Sequence, residues 1–396
     1  MKPSSPLNPP ERRPQPKGWC PGAHRAMTCG DGLLLRVRPR LGRLSAVQAL
    51  GLCELAQSLG SGHLDLTNRA SLQLRAIAPR HHGQVVEALC GLGLLDADPR
   101  LEARPAVLVQ PLWSSADTSE RIATELISRL GELPVLPAKF GFAVDAGPAP
   151  LLSAASADVR IERDVCGQLM VRADGAARGT RVEPDQAVSV ALRMAAWFAR
   201  DAAASGARRM REHLRSRALP GEFPAHQPAA PCGASPAPGV CAIGAVYGVA
   251  LGQLHAAALV DLLHRSGTQA LRLTASRSLI LEGAEALPAP AFISRGDDAL
   301  LGIDACAGAP ACASATVPTR ALARELASRL QVLAAEQRPS LHVSGCAKGC
   351  ARGRSADVTL VGRDGVFDVV LRGCAWDAPS SAGRSAEQIR ALSWSS

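Results

Sequence analysis

Length, composition and charge set the first bounds on this protein. The chain has 396 residues, of which 47% are hydrophobic and only 3% aromatic, and its formal net charge is +9 at pH 7. This length predicts two or more domains, and the positive charge predicts an anionic partner such as nucleic acid, a membrane surface or a polycarboxylate. The shortage of aromatic residues disfavours recognition of single-stranded nucleic acid, which depends on stacking platforms.

The N-terminal stretch 1–17 is rich in proline and charge and has no apolar core, so we expect a disordered tail without a secretory signal. No run of about 18 uncharged apolar residues follows, which predicts a cytoplasmic protein without a transmembrane helix. Twelve cysteines in such a chain indicate metal binding or catalysis in preference to a disulfide framework.

The hydrophobic pattern predicts two kinds of module in chain order. The first runs strand, helix, strand, because apolar residues recur at helical steps between two alternating segments; its predicted elements are a strand at 33–38, a helix at 45–59 and a strand at 63–77. The second module contains a helix at 118–130, a strand near 139–145, a strand pair over 157–173 and a helix at 186–204. A proline- and alanine-rich stretch at 218–239 predicts a linker.

Segments of the first half recur in the same order in the second half. ATELISRL at 123–130 returns as ARELASRL at 323–330, and HLDLTNRASLQL at 63–74 returns as ALRLTASRSLIL at 270–281. This repetition indicates an internally duplicated α+β fold with pseudo-twofold symmetry.

Four cysteines of the second half are spaced as two pairs. Five residues separate Cys306 from Cys312, and three separate Cys346 from Cys350. Glycines beside the second pair allow backbone amides to point at bound sulfur, which favours an iron–sulfur cluster. A four-cysteine zinc site, which prefers gaps of two to four residues, and inert buried thiols remain as alternatives. We expect KFGFAVDAG at 139–147 to replace HVSGCAKGC in the first copy, so that one copy alone binds the cluster.

These cysteines, together with LTNRASLQL, LLLRVRPRLG, EARPAVLVQPL and LPAKF, resemble the motifs of the nitrite/sulfite reductase family. The resemblance extends over about 18–378 and implies ferredoxin-like half-domains alternating with α+β modules, the second of them carrying a [4Fe-4S] cluster. The segments that follow from it are a tail at 1–17, a first half-domain at 18–80, a first α+β module without a cluster at 81–205, a linker at 206–239, a second half-domain at 240–298, a cluster-binding module at 299–380, and a short helix and tail at 381–396.

The resemblance also implies roles for particular residues. The four paired cysteines would ligate the cluster, and a set of basic and amide side chains would bind a tetrapyrrole: Arg36, Arg38, Arg69, Gln73, Arg104 and Lys139. Lys139 would also have a catalytic role. The position of Lys348 between two cluster ligands separately predicts that it donates a proton, stabilises an oxygen-derived anion or compensates the charge of the cluster. Gly141 and Lys348 stand where sulfite and nitrite reductases typically have a lysine and an asparagine, which argues against reduction of a small oxyanion.

Within the family, CPG followed by GDGLL resembles the members that act in aerobic cobalamin biosynthesis. This likeness implies a monooxygenase that uses O2 and NADH to convert precorrin-3A, by hydroxylation of a meso carbon and closure of a lactone. It also implies a mononuclear non-haem iron, for which His24, His342 and the pair at 81–82 are candidate ligands. No G-x-G-x-x-G stretch opens a helix, so we expect a separate reductase to supply the electrons.

The arginines also have a physical rationale that does not depend on the family. A guanidinium group matches a carboxylate bidentately, and Arg36 and Arg38 are two residues apart on a strand, which places them on one face. Two alternatives to the precorrin reaction stay open: a sirohaem-dependent nitrite or sulfite reductase, and a basic zinc-binding module for nucleic acid.

Overall fold

The structure, a computed structural model, describes residues 19–392. The predicted tail at 1–17 and the last four residues of the C-terminal tail lie outside this range. The described residues divide into two compact units, one formed by 19–27 and 34–294 and the other by 28–33 and 295–392. Within 19–392, no helix combines the length and the apolar character needed to cross a bilayer.

The first copy begins with a half-domain built on the predicted strand–helix–strand plan. Its elements are β1 (Met27–Cys29), β2 (Gly32–Val37), β3 (Arg43–Ser45), α1 (Ala46–Ser58), β4 (His63–Leu66), β5 (Leu72–Ile77) and α2 (His82–Gly91). The helix α1 starts at a capping box. The Ser45 side chain accepts from the backbone N–H of Gln48, and the Gln48 side chain accepts from the backbone N–H of Ser45.

The predicted single strand at 63–77 is wrong, because the chain turns back on itself between β4 and β5. The turn is closed by the bond from Thr67 N–H to the Ser71 carbonyl, 2.9 Å, and Ala70 adopts a positive φ of 49°. A turn of the same form follows Leu273, where Thr274 N–H donates to the Ser278 carbonyl at 3.0 Å. The two segments that the sequence shows as repeats are therefore both hairpins.

The first α+β module follows. Its elements are α3 (Pro99–Glu102), β6 (Ala106–Val109), α4 (Thr118–Arg129), β7 (Gly141–Asp145), β8 (Val159–Arg163), β9 (Leu169–Ala173), β10 (Arg178–Arg181), α5 (Ala187–Ser205) and α6 (Met210–His213). Together with β11 (Gln227–Pro228), its strands form a sheet in the order β11-β10-β9-β8-β7-β6, with β6, β7 and β8 parallel and β9 antiparallel. The helices predicted at 118–130 and 186–204 correspond to α4 and α5.

The stretch predicted as a linker is partly built into this sheet. Gln227–Pro228 forms β11, which pairs antiparallel with β10, and Val165 N–H donates to the Pro228 carbonyl at 3.1 Å. Proline lacks the N–H that an inner strand needs, so its place here, at the edge of the sheet, is the one that it tolerates. The segment therefore does more than connect the two copies.

The second copy repeats the order of the first, except that α2, α3, α6 and β11 have no counterparts among its described residues. Its elements are β12 (Gly239–Cys241), β13 (Gly244–Gly248), β14 (Gln253–His255), α7 (Ala256–Ser266), β15 (Ala270–Leu273), β16 (Ser278–Glu282), β17 (Ile303–Ala305), α8 (Arg320–Leu330), β18 (Leu341–Ser344), β19 (Ala356–Arg363), β20 (Val366–Gly373), β21 (Ser381–Arg384) and α9 (Ala386–Arg390). The last five strands form one sheet in the order β17-β18-β19-β20-β21, again with a parallel core.

The two half-domains exchange a strand. One sheet runs β1-β2-β5-β4-β14 and the other β12-β13-β16-β15-β3. Each copy therefore contributes the last strand of the sheet of the other copy. The exchange begins at equivalent bends, where Leu41 and Leu251 have positive φ angles of 56° and 55°. The interlocked half-domains share the larger unit, and that unit contains the cavity described next.

Candidate active site

A cavity of about 350 Å³ opens in the larger unit. Its walls come from the end of β2 and the bend after it, the turn between β4 and β5, the segment that leads into β6, and the start of β7. All of these elements belong to the first copy.

Four of the residues predicted to bind a ligand line this cavity together. They are Arg36, Arg38, Arg69 and Arg104, and Arg40 adds a fifth arginine that was not predicted. Arg40 stands in the bend that follows β2, where strand alternation no longer applies, so only its place in the basic segment LLLRVRPRLG could have pointed to it. The cavity therefore presents a concentration of guanidinium groups suited to an anion with several carboxylates.

Arg69 is held at the mouth of this cavity by a hydroxyl. Its Nη2 donates to Ser156 Oγ at 2.6 Å, and Arg209 Nη1 donates to the same oxygen at 3.0 Å. Burial, followed by the repulsion of the Arg209 cation, lowers the pKa of Arg69 to about 10. Arg209 is itself paired with the buried carboxylate of Asp158 at 2.9 Å. The Arg69 charge is therefore poorly compensated until an anion arrives.

Arg36 is also incompletely satisfied. Burial is the main cause that lowers the pKa of its guanidinium group, and a hydrogen bond to the Cys20 thiol partly offsets it. Its Nε atom is buried and has no hydrogen-bond partner among residues 19–392. An unpaired buried donor is costly, so a ligand oxygen at this point would relieve the cost.

Arg38 and Glu102 shape the wall of the cavity. Arg38 Nη1 donates to the carbonyl oxygens of Glu102 and Arg104, 3.2 Å in each case. The Glu102 carboxylate accepts the backbone N–H of Ala23 and, at 3.0 Å, that of His24. The segment that precedes β1 is thus tied to the segment that precedes β6.

Gln73 and Lys139 do not line this cavity. Gln73 lies on β5 opposite Asp65 of β4. Lys139 is exposed on the turn before β7, close in sequence to the lining residues Gly141 and Phe142. Their predicted roles in binding stay predictions.

The second copy has no equivalent cluster of cations. Superposing the bends at Leu41 and Leu251 places Val246 and Gly248 at the positions of Arg36 and Arg38, and the paired hairpin turns place Ser276 at the position of Arg69. The duplicated scaffold therefore carries its arginine-lined cavity in the first copy.

The four paired cysteines lie in the smaller unit, on two loops that meet. Cys306 follows β17, and Cys346 follows β18, which is parallel to it. The backbone N–H of Gly345 donates to Cys306 Sγ at 3.2 Å. Lys348 Nζ donates to Ser314 Oγ at 2.8 Å, which joins the second cysteine loop to the segment after Cys312.

The thiols interact electrostatically. Burial raises the pKa of Cys350 to about 11, and the thiols of Cys306, Cys346 and Cys312 add to the increase. Burial also raises the pKa of Cys346, again with contributions from Cys306 and Cys312. Four mutually close thiols are costly to ionise without a cation, so the arrangement favours metal binding.

The loops fit a cluster in a further respect. A Cβ atom added at Gly345 would lie 2.5 Å from the Ala315 Cβ, so only glycine allows this close approach of the two loops. Among the described residues, no three His, Cys, Asp or Glu side chains gather tightly enough to hold one metal ion. A tetrahedral zinc ion would draw sulfurs to about 2.3 Å from one centre, whereas a cluster of four irons distributes its four thiolates over separate corners.

The sheet registers correct the predicted match between the two copies. Phe142 pairs with Val159 as Leu341 pairs with Val358, so the segment in register with HVSGCAKGC is AVDAGPAPL at 143–151. The predicted segment at 139–147 was wrong because the strand pattern there tolerates a shift.

Polar and small residues replace the thiols in the first copy. In register, Gln110 occupies the position of Cys306, Gly147 that of Cys346 and Leu151 that of Cys350. The buried Asp145 carboxylate organises this loop, since its Oδ2 accepts the N–H groups of Leu151 and Leu152 at 2.8 and 2.7 Å. Hydrogen bonds therefore hold the loop that metal ligands would hold in the second copy.

Comparison with known proteins identifies the fold and the family of the chain. Residues 25–91 match the model of the nitrite/sulfite reductase ferredoxin-like half domain. A precorrin-3B synthase from a Sinorhizobium species is 31% identical over 397 residues, which covers 92% of this chain and 85% of that protein. The solved structure of the Mycobacterium tuberculosis NirA protein superposes with a TM-score of 0.60 at 18% identity, covering 91% of this chain and 79% of that one.

The superposition and the matched half domain confirm the predicted duplicated α+β fold of the nitrite/sulfite reductase type. The similarity to the Sinorhizobium protein spans both copies, so it identifies the family within this fold. The chain belongs to the precorrin-3B synthase family, an oxidoreductase family within the nitrite/sulfite reductases.

Proposed function

We propose that this chain catalyses the reaction of a precorrin-3B synthase. Precorrin-3A would be hydroxylated at a meso carbon, and an acetate side chain would close a lactone. One oxygen atom of O2 would enter the ring and the other would leave as water, with two electrons supplied by NADH through a separate reductase. The chain would act in the cytoplasm, where thiols remain reduced.

The observation that carries this proposal is the convergence of five arginines on one cavity. Arg36, Arg38, Arg40, Arg69 and Arg104 line it, and a precorrin carries carboxylates around its rim. Each carboxylate can accept two parallel N–H bonds from one guanidinium group, which fixes orientation as well as affinity. We infer that Arg36 and Arg69, whose pKa values are lowered by burial, contribute most to binding.

The four paired cysteines would hold a [4Fe-4S] cluster, which supplies single electrons when it is bound. The Gly345 N–H would stabilise negative charge on the cluster through its bond to Cys306 Sγ. Lys348 would hold a proton at Nζ between the two loops, since its present partner is the neutral hydroxyl of Ser314. Lys139 lies on an exposed turn. It would add a cation to the arginines in ring binding, or act beside Lys348 in proton transfer.

A mononuclear iron would have its candidate ligands in His24, His342 and the pair at 81–82, and these roles stay predictions. His24 and His82 each use Nε2 in a bond to a backbone carbonyl, at 2.7 and 2.8 Å. Each of these two rings therefore keeps its lone pair on Nδ1, the nitrogen by which it would bind a metal.

The test is anaerobic reconstitution of the purified chain with iron and sulfide, followed by an O2-dependent assay on precorrin-3A with NADH and a reductase. We expect about four irons with matching acid-labile sulfide, and formation of a hydroxylactone. The variant Cys346→Ala should lose the cluster and turnover. Cys232→Ala is the matched control, because Cys232 is exposed and outside the two cysteine loops. Turnover by Cys346→Ala would refute the role of the thiols.

Absorption of the same preparation separates this proposal from its alternatives. A broad shoulder without a Soret band supports a ring that is substrate, whereas bound sirohaem would give intense Soret and red bands and indicate a nitrite or sulfite reductase. One zinc in place of four irons, with salt-sensitive binding to DNA, would indicate the nucleic-acid module.

A further inference from the structure

Two histidines face each other where the half-domains exchange a strand. His63 begins β4 and His255 ends β14, and the antiparallel register sets them directly opposite. Their ring centroids are 4.2 Å apart, with the planes tilted by 58°. Directly opposed residues on antiparallel strands have Cβ atoms about 4.5–5.5 Å apart, so both imidazoles can reach a single point above the sheet.

The hydrogen bonding of His63 prepares it to be a ligand. Its Nδ1 is 2.9 Å from the carbonyl oxygen of Ser61. A carbonyl can only accept, so Nδ1 carries the proton and Nε2 carries the lone pair. Metal-binding histidines usually have this arrangement, in which one ring nitrogen donates to a backbone carbonyl and the other binds the ion.

The pair is accessible from solvent. His255 is exposed and His63 is half-buried. Asp65 lies on the same face of β4, but its carboxylate is directed at Arg75, with Oδ2 3.9 Å from Nε. The protein ligands are therefore two imidazoles, consistent with the absence of any metal-binding group of three in residues 19–392.

The symmetry-related exchange lacks such a pair. There β3 meets β15, and Ser45 lies opposite Ala270. The Ser45 side chain is used in capping α1, and Ala270 is buried. The imidazole pair is therefore a property of one exchange and is not a consequence of the duplicated fold.

We propose that His63 and His255 bind a divalent transition metal ion, with water completing its coordination. Imidazole suits zinc, nickel, copper and ferrous iron, and it does not suit magnesium or calcium. The ion would join β4 of the first copy to β14 of the second, and would stabilise the exchanged arrangement because it binds only the folded chain. This site is independent of the precorrin reaction.

The test uses Ni2+ as the probe. Nickel distinguishes imidazole from the thiols of the cysteine loops more clearly than zinc does. The full-length chain, loaded with its cluster and freed of any affinity tag, is titrated calorimetrically, and its thermal midpoint is recorded with and without Ni2+. We expect one equivalent to bind and the midpoint to rise by several degrees. His63→Gln and His255→Gln should each remove that equivalent and the shift.

The matched control is His264→Gln, which changes an exposed histidine on α7 away from the pair. Its stoichiometry and midpoint shift should equal those of the unaltered chain. Unchanged midpoints without Ni2+ in the two Gln variants show that they fold. If either variant keeps the full equivalent, or if His264→Gln loses it equally, the proposal is wrong. Should the Gln variants fail to fold, the anomalous signal of nickel in crystals of the unaltered chain decides, since density elsewhere than between the two rings refutes the site.

Discussion

The backbone N–H of Gly345 donates to the Sγ atom of Cys306 across 3.2 Å. The two residues are far apart in the chain, and they meet because β17 and β18 are parallel neighbours. A donor aimed at a ligand sulfur stabilises the more negative, reduced state of an iron–sulfur cluster. The pairing of β17 with β18 therefore positions a hydrogen bond that would raise the reduction potential of the proposed cluster.

Gly345→Ala should make the cluster harder to reduce. The new Cβ would lie 2.5 Å from the Ala315 Cβ, so the loops must separate and the hydrogen bond to sulfur weakens. Loss of about 1 kcal/mol corresponds to a potential roughly 40 mV more negative for one electron, measurable by a redox titration monitored by electron paramagnetic resonance. Gly353→Ala is the control, since a Cβ there meets nothing within 4 Å. Equal potentials in both variants would contradict the prediction.

Arg69→Met should weaken binding of a polycarboxylate tetrapyrrole while stabilising the ligand-free chain. Burial and the Arg209 cation already oppose the charge of Arg69, so its removal relieves a cost, and regaining about 1 kcal/mol would raise Tm by about 2–4 °C. Affinity should fall about tenfold or more, because one charge-assisted bidentate contact is lost.

Arg193→Met provides the comparison for that experiment. Arg193 is 57% exposed and is 4.0 Å from Glu222, outside the cavity. It should change neither affinity nor Tm appreciably. A loss of both binding and stability in Arg69→Met would instead assign Arg69 a structural role.

Ring binding should depend on pH through Arg69. The folded-state pKa, about 10, is below the ordinary value of an arginine, so the cation is present in full below pH 9 and is lost as pH rises through 10. The free energy of unfolding depends on the same group. The cost of burying the Arg69 cation lowers it in full at neutral pH, and this cost diminishes above pH 10. Affinity should be constant from pH 7 to 9 and fall about tenfold between pH 10 and 11, while Arg69→Met should show no such step in fluorescence titrations.

Asp145→Ala should destabilise the first α+β module without affecting the cluster. The buried carboxylate accepts the N–H groups of Leu151 and Leu152, and leaving these donors unsatisfied should lower the free energy of unfolding by about 2–4 kcal/mol. Asp145→Asn retains one accepting oxygen and should lose less. Denaturant unfolding measures the change, and iron content checks the cluster. Loss of iron in a chain that still folds would contradict the prediction, because the cluster of the second copy would then depend on the Asp145 loop of the first.

Several features of the protein were determined by the sequence alone. The repeated segments sufficed for the duplicated fold, and the resemblance of LLLRVRPRLG, LTNRASLQL and EARPAVLVQPL to family motifs sufficed for four of the five arginines that line the cavity. These signals are local, since periodicity and spacing are set within a few residues, and each copy reinforces the assignment of the other.

Only the tertiary structure decided what depends on the pairing of distant strands. The hairpin within 63–77, the exchange of β3 and β14, and the match of 143–151 to the cysteine loop all follow from strand pairing. A shift by an even number of residues, such as the four-residue shift from 139–147 to 143–151, keeps the alternation of faces and leaves almost no mark in the sequence. His63 and His255 meet for the same reason: they are separated by most of a copy, and a cross-strand pair exists only once the two half-domains have interlocked.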